Sequence, residues 1–136
     1  IVIVKLSDTG AYFTGRALGR HKMAPVLSPK KTIEGAIGSL VAACLGAWIC
    51  RALIVPLLVD ADQPQGALGG WLLYGLVLAV AGMLGDLAES LLKRDAQRKD
   101  SSSWLPGLGG VLDILDSIVF AAAPAYLCWA CGLVGP

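Results

Sequence analysis

Residues 63–85, QPQGALGGWLLYGLVLAVAGMLG, contain no Asp, Glu, Lys, Arg or His. A helix needs about 20 apolar residues to cross a bilayer, and this stretch is long enough. Two further stretches qualify, because residues 117–136 carry no charge and residues 33–59 are interrupted only by Glu34 and Arg51. An arginine near the end of a span reaches the interface with its long side chain. We therefore predict an all-α, polytopic membrane protein with three transmembrane helices.

The composition of the whole chain supports a membrane protein and excludes other classes. Hydrophobic residues make up 56% of the 136 residues and charged residues 15%, and the mean hydropathy is +0.70. Soluble domains carry about 25% charged residues, and disordered chains are poorer in apolar ones. With a formal net charge of +1, the chain lacks the surplus of Lys and Arg that nucleic-acid binders carry. We expect no nucleic-acid partner.

Basic residues identify the side of the membrane on which each connecting segment lies. The segment before the first span carries Lys5, Arg16, Arg20, Lys22, Lys30 and Lys31. The segment between the second and third spans carries Lys93, Arg94, Arg98 and Lys99. The loop with Asp60 and Asp62 has no basic residue. By the positive-inside rule, both basic segments are expected to be cytoplasmic.

The first four residues, Ile1-Val2-Ile3-Val4, form an apolar run directly before the first basic segment. No signal peptide is recognisable, since the basic-then-apolar order and a cleavage site are both missing. We interpret the run as the last turn of a further helix. Residues 1–136 are then expected to be the C-terminal catalytic portion of a larger membrane protein, without its N-terminal helices.

Acidic residues and a glycine-rich stretch follow the second span. Asp86 is predicted at the end of an apolar helix, where a carboxylate without a partner is costly. Acidic and basic residues then alternate at a spacing of four, which predicts a cytoplasmic amphipathic helix; the pairs are Glu89 with Lys93 and Asp95 with Lys99. The stretch Pro106-Gly107-Leu108-Gly109-Gly110 predicts a loop whose backbone approaches a ligand closely. An ordinary turn before a membrane helix has the same composition.

Asp113 and Asp116 open the third span and share one helical face, because they are three residues apart. Capping of the helix dipole explains two acids at this position. The two acids would also suit a hard cation such as Mg²⁺, since it takes oxygen ligands and Asp86 lies on the adjoining helix end.

Thr32 is a candidate N-cap for the first span. Lys30 and Lys31 precede it, and a helix N-terminus beside two lysines suits a phosphate group. Lysines that anchor the chain to lipid headgroups would look the same in the sequence.

The cysteines carry little information. Cys128 and Cys131 form a C-x-x-C pair, a spacing found in redox and metal sites. Because the chain has one histidine and no thiol in its predicted loops, we interpret its cysteines as small apolar residues of membrane helices.

Four stretches, taken together, resemble a known family. They are Asp8-Thr9-Gly10-Ala11-Tyr12-Phe13, Ser28-Pro29-Lys30-Lys31-Thr32-Ile33-Glu34-Gly35, Gly85-Asp86-Leu87-Ala88-Glu89-Ser90, and the run from Ser90 through Lys93-Arg94, Lys99-Asp100, Pro106-Gly107, Gly109-Gly110 and Asp113 to Asp116-Ser117. This pattern resembles phosphatidate cytidylyltransferase, or CDP-diacylglycerol synthase, over nearly the whole chain. The resemblance implies transfer of a cytidylyl group from CTP to phosphatidate at the cytoplasmic membrane face, with Mg²⁺ as cofactor.

The resemblance also implies roles for residues at matching positions. Asp86 and Asp113 are expected to be catalytic metal ligands, with Asp116 and Asp100 as further candidates. Lys93 and Arg94 are expected to be catalytic residues that contact phosphate groups. The expected substrate-binding residues are Lys30, Lys31, Lys99, Ser90, Gly109 and Gly110. Membrane lipid is a further expected partner, and a homodimer is left open.

Two positions depart from the family pattern. Leu108 stands where the family has histidine, and Ile114 stands where it has arginine. An apolar side chain neither donates a hydrogen bond nor balances phosphate charge. A catalytically weakened homologue with a binding or scaffold role is therefore an alternative. A transporter is a second alternative, disfavoured because nearly all charges are predicted on one side of the membrane.

Overall fold

In the computed structural model, the described residues are 1–24, 28–58, 66–95 and 111–134, with side chains described except at 29–30, 58, 93–95 and 111–116. They form helical segments and one β-hairpin. In chain order these are α1 (Val2–Leu18), β1 (Lys22–Ala24), β2 (Ser28–Thr32), α2 (Ile33–Ile49), a π-helical turn (Cys50–Ile54), α3 (Val55–Leu58), α4 (Leu68–Asp95) and α5 (Val111–Ala130).

Two of the three predicted spans are long and apolar enough, by length and composition, to cross a membrane. They are Ile33–Leu57, which joins α2 to α3, and Leu68–Leu92 in α4, each of 25 residues. The third predicted span corresponds to α5, whose described apolar part, Ser117–Ala130, is shorter. The chain is thus mostly helical with two candidate spans, and the count of three stays a prediction.

The first of these spans contains a π-helical turn that ends two residues before Pro56. The backbone N–H of Val55 donates to the carbonyl oxygen of Cys50, five residues earlier. Proline has no N–H and its ring clashes with the carbonyl four residues before it. The wider turn accommodates this defect, so that the helix continues to Leu58.

The N-terminal region differs from the sequence-based expectation. Residues 5–18 were expected in a basic loop after a last helical turn at Ile1–Val4, but α1 runs unbroken from Val2 to Leu18. Ile3 and Val4 are buried in the core, and burial of this apolar start stabilises the helix despite its charged residues. The expectation of a helix ending at Val4 was wrong.

A β-hairpin connects α1 to α2, which an all-α prediction does not include. β1 and β2 pair antiparallel, with Lys22 opposite Thr32 and Ala24 opposite Ser28. The N–H of Ile33 extends the ladder by donating to the His21 carbonyl at 3.0 Å. Strands this short, which contain lysines and a proline, give almost no periodic signal in the sequence.

α1 packs antiparallel against α2 through small residues. A Cβ at Gly10 would clash with Ala42, and a Cβ at Gly38 would clash with Thr14. Such glycines let two helix backbones approach closely, as is common between membrane helices. The buried hydroxyls of Ser7 and Ser39 form a hydrogen bond of 2.8 Å across the interface. At the other end of the interface Gly46 lies against Ile3 and Leu6, so α1 packs along most of α2.

α4 also extends further than expected. Asp86 was placed at the end of a span with a separate amphipathic helix after it, but α4 continues without a break to Asp95. The residues after Asp86 favour helix and include no Gly or Pro. The separate helix was therefore wrong, and Asp86 lies within α4.

Candidate functional site

The site forms where the start of α2 meets the later turns of α4. α2 and α4 run antiparallel, because Gly75 lies against Ala43 and Ala47 while Asp86 reaches Lys31. The hydroxyl of Thr32 accepts a hydrogen bond from the Gly35 N–H at 3.1 Å. The predicted N-cap is thus confirmed, and the cap fixes the direction in which β2 enters α2.

Lys31 and Asp86 form an ion pair between β2 and α4. The Lys31 Nζ donates to Asp86 Oδ2 at 3.0 Å, and the side chains are 24% and 32% exposed. The pairing offsets the cost of holding a carboxylate within an apolar helix. Two residues that the sequence assigned to phosphate and metal binding are therefore adjacent.

A second group of polar residues joins two charged side chains of α1 to a hydroxyl of α5. The Lys5 Nζ contacts Asp8 Oδ2 at 3.2 Å and donates to the Ser117 Oγ at 3.4 Å. The Ser117 hydroxyl donates to Asp8 Oδ2 at 3.2 Å. These contacts join the N-terminal helix to α5 across 109 positions in the sequence.

Both groups line one cavity of about 320 Å³. We call its lining residues the polar cluster; they are Lys5, Asp8, Lys31, Asp86, Glu89, Ser90 and Ser117. The cluster combines ammonium groups with carboxylates and hydroxyls. It can therefore bind phosphate oxygens through the lysines and a hard cation through the oxygen atoms.

Ser90 has a local partner within the cluster. Its hydroxyl donates to the backbone carbonyl of Asp86, one turn earlier in α4, at 2.8 Å. This bond occupies the hydroxyl proton and leaves the oxygen as an acceptor. As a predicted substrate-binding residue, Ser90 therefore lies at the cavity but cannot donate to a phosphate in this rotamer.

Hydrogen bonds between His21 and Glu34 hold the hairpin to α2. The His21 Nδ1 lies 2.7 Å from Glu34 Oε1, and the His21 backbone N–H donates to both carboxylate oxygens at 3.2 Å. These contacts join the first residue of the hairpin region to the first turn of α2. They restrict the hairpin, and with it the position of Lys31.

The other predicted site residues are only partly described. Helix α4 carries Lys93 and Arg94 in its last turn, helix α5 carries Asp113 and Asp116 in its first turns, and strand β2 carries Lys30. For these residues only the backbone is described. Outside the described residues lie Lys99, Asp100, Leu108, Gly109 and Gly110. Asp113 precedes Ser117 by one helical turn, which places it on the same face of α5.

The residues present suit a magnesium ion. Mg²⁺ keeps several waters and usually takes one or two carboxylates together with substrate phosphates. The polar cluster offers Asp86 beside further carboxylates and hydroxyls. Among the described side chains no three His, Cys, Asp or Glu groups form a metal cluster. Among the described side chains, an ion here would therefore take Asp86 as a ligand and fill its other positions with waters or with the phosphates of a bound molecule.

Sequence reasoning missed several members of the cluster. Lys5, Asp8 and Ser117 received no role, although Asp8 and Ser117 stand in the family-like stretches. The available signal was a carboxylate within a largely apolar segment, which is costly in a membrane unless it has a partner. Lys5, three residues before Asp8, is a partner on the same helix, whereas Ser117 was not predictable because it lies on the distant helix α5.

A protein-family model provides an independent comparison. The model described as "Cytidylyltransferase family" matches residues 1–131. The match therefore includes α1, the hairpin and every described residue of the polar cluster.

Curated relatives agree with this match. The chain is 45% identical over 127 residues to the phosphatidate cytidylyltransferase of Brucella suis biovar 1 (strain 1330), covering 92% of this chain and 43% of the relative. It is 47% identical over 125 residues to that of Staphylococcus haemolyticus (strain JCSC1435) and 48% identical over 123 residues to that of Staphylococcus aureus (strain COL). Each of these two alignments covers 88% of this chain and 43% of the relative. The chain thus spans less than half the length of these relatives.

Proposed function

The chain belongs to the cytidylyltransferase family, and we propose that it is the catalytic portion of a phosphatidate cytidylyltransferase. Such an enzyme transfers the cytidylyl group of CTP to phosphatidate and yields CDP-diacylglycerol and pyrophosphate. The observation that carries the proposal is the polar cluster beside two helices of membrane-spanning length. A water-soluble nucleotide and a membrane lipid must meet at such a boundary.

The reaction brings two anions together. A phosphate oxygen of phosphatidate attacks the α-phosphorus of CTP, and the bond from that phosphorus to the bridging oxygen of the β-phosphate breaks. Pyrophosphate leaves with the bonding electrons. Lys31 and Lys5 line the cavity in which this repulsion has to be overcome. Their ammonium groups are held by carboxylates and need little reorganisation when the phosphates arrive.

Further residues would complete the phosphate and metal sites. Phosphates would also contact the basic side chains of late α4 and of β2, namely Lys93, Arg94 and Lys30, together with Lys99 beyond α4. Asp86 and Asp113 would hold Mg²⁺, with Asp116 and Asp100 as further ligands. When bound, the ion neutralises triphosphate charge and stabilises the leaving pyrophosphate. Asp86 in addition keeps the Lys31 ammonium group at the cavity.

We place this site on the cytoplasmic face and assign three spans to the chain. The two segments that flank the site carry most of the basic residues, and such segments stay in the cytoplasm. Cysteines introduced near Arg20 and Arg98 are expected to react with an impermeant reagent only after the inner face is opened. A cysteine near Asp62 is expected to react from outside. Labelling of all three positions from one side would contradict this topology.

Pyrophosphate release tests the proposed activity. In the full-length protein, reconstituted in nanodiscs, pyrophosphate should appear only when CTP, phosphatidate and Mg²⁺ are all present. Diacylglycerol in place of phosphatidate serves as the control, since it has the same chains but no attacking phosphate. Release that does not depend on phosphatidate, or no release at all, would refute the proposal.

The scaffold alternative has no observation in its favour, and the relatives in the comparison are named as enzymes. Leu108 and Ile114 still make it testable. Leu108→His combined with Ile114→Arg would provide donors for phosphate oxygens. Turnover that appears only in this variant would support the scaffold alternative for the natural chain.

A further inference from the structure

A second, larger cavity adjoins the polar cluster. It has a volume of about 560 Å³ and lies between α1, the hairpin, α2 and α4. We call it the hairpin cavity. It shares Asp8, Lys31 and Asp86 with the polar cluster. A molecule in the hairpin cavity would therefore reach the ion pair that we place at the reaction centre.

The hairpin cavity carries cations that the polar cluster does not use. Arg16 on α1 and Lys22 on β1 line it, in addition to Lys31. Within the described part of the chain, neither Arg16 nor Lys22 has a carboxylate partner, and Arg16 donates instead to the Tyr12 hydroxyl at 2.7 Å. The two acids of the cavity, Asp8 and Asp86, already contact lysines. The unneutralised charge of the cavity is therefore positive and suits an anionic group.

The remaining walls of the hairpin cavity are largely apolar. Met23 comes from the hairpin, Met83 from α4 and Ala36 from the first turn of α2. Met83 and Ala36 belong to the two helices of membrane-spanning length. The cavity therefore lies where an apolar membrane segment gives way to charged residues, and it suits an amphiphile better than a wholly polar ligand.

We propose that the hairpin cavity binds the phosphate monoester headgroup of a membrane lipid, with Arg16 and Lys22 contacting the phosphate oxygens. This inference rests on the proposed function and assigns a place to its lipid substrate. The guanidinium group suits a phosphate because it presents several donors in one plane. From this cavity the phosphate faces Lys31 and Asp86, while the polar cluster remains for the nucleotide.

Two kinds of measurement on the full-length protein in nanodiscs test the assignment. In kinetics, Arg16→Gln with Lys22→Gln should raise the KM for phosphatidate about tenfold, the size expected for lost charged hydrogen bonds. The KM for CTP should stay within about twofold. Arg16→Lys should recover part of the affinity. Arg20→Gln is the matched control, because Arg20 is exposed like Arg16 and Lys22 but does not line the cavity.

Native mass spectrometry provides a readout that does not need turnover. The wild-type protein should retain phosphatidate in preference to phosphatidylcholine, and the double variant should lose this preference. Glycerol 3-phosphate, which has the same phosphate but no acyl chains, should compete poorly.

The outcomes separate the two proposals. A raised KM for CTP with an unchanged KM for phosphatidate would assign the cavity to the nucleotide and overturn the inference. Equal retention of phosphatidate by wild type and double variant, or equal competition by glycerol 3-phosphate, would also overturn it. If the wild type releases no pyrophosphate yet retains phosphatidate through Arg16 and Lys22, the activity fails and the lipid site stands.

Discussion

The two ends of the α2–α4 pair differ in chemistry. At one end lies the polar cluster, with the ion pair of Lys31 and Asp86. At the other end, which we call the aromatic end and define by Arg51, Gly66, Trp71 and Tyr74, contacts are weakly polar. The Arg51 Nε donates to the Gly66 carbonyl at 3.3 Å, and the Trp71 and Tyr74 rings meet edge to face with centroids 6.0 Å apart.

This difference indicates which end of the helix pair is suited to a functional site. Aromatic rings at the end of a span stabilise it at the interface through their apolar bodies and polar edges. Charges within or beside a span cost desolvation energy, and a stable helix pair does not need them. Among the described residues, interacting carboxylates belong to α1, the start of α2 and late α4. The polar cluster is thus the end at which substitutions should affect activity more than folding.

The largest effect is expected for Asp86→Asn. The amide keeps the size of the side chain but removes the charge that holds Lys31 and that we assign to the metal. Turnover should fall about 100-fold, typical of losing one preorganised electrostatic group, and the dependence on Mg²⁺ should weaken with it. Initial rates of pyrophosphate release over a range of Mg²⁺ concentrations measure both. Asp60→Asn is the matched control, since the sequence places Asp60 in the loop on the opposite side.

A charge swap separates catalysis from folding at this pair. Lys31→Asp combined with Asp86→Lys keeps the two side chains of the ion pair but reverses which helix or strand carries each charge. Either single variant should lower thermal stability in detergent, and the double variant should recover most of it. Turnover of the double variant should stay low. If the swapped protein regains turnover, the pair is structural and its assignment to the reaction is wrong.

The sequence predicted features with a local signal. The apolar α4 span and the Thr32 cap depend on neighbouring residues, and both appear in the structure. The hairpin sequence has no periodic pattern, and the charged residues of α1 gave its sequence the composition of a loop. The contact of Asp8 with Ser117 joins positions 109 apart, and only the packing of α1 and α5 brings them together. The roles of Asp86 and Lys31 stay predictions, although the structure places them together. The roles of Asp113, Lys93 and Arg94 also stay predictions, and their side chains lie outside the described set.

An intermediate effect is expected where α2 contacts the hairpin, for Glu34→Gln. The amide oxygen still accepts from the His21 backbone, but the charge that attracts the imidazole is lost. Contacts between exposed polar side chains contribute little to stability, so folding should hardly change. The hairpin that carries Lys31 should loosen, and kcat/KM should fall about threefold.

Hydrogen exchange of residues 20–24 measures the hairpin directly. Faster exchange there, with unchanged exchange in α4, is the expected pattern. If kcat/KM falls while exchange in the hairpin is unchanged, Glu34 acts on the reaction by another route and the positioning role is refuted.

The smallest effect is expected at the aromatic end, for Arg51→Gln. Its hydrogen bond to the Gly66 carbonyl is long at 3.3 Å, and a glutamine is too short to replace it there. A single hydrogen bond of this kind contributes about 1 kcal/mol, so the melting temperature should fall by a few degrees, on the order expected for a domain of this size. Turnover should stay within about twofold of the wild type, because Arg51 lies at the far end of α2 and α4 from Lys31 and Asp86. A loss of turnover comparable to that of Asp86→Asn, without a matching loss of stability, would mean that both ends take part in the reaction.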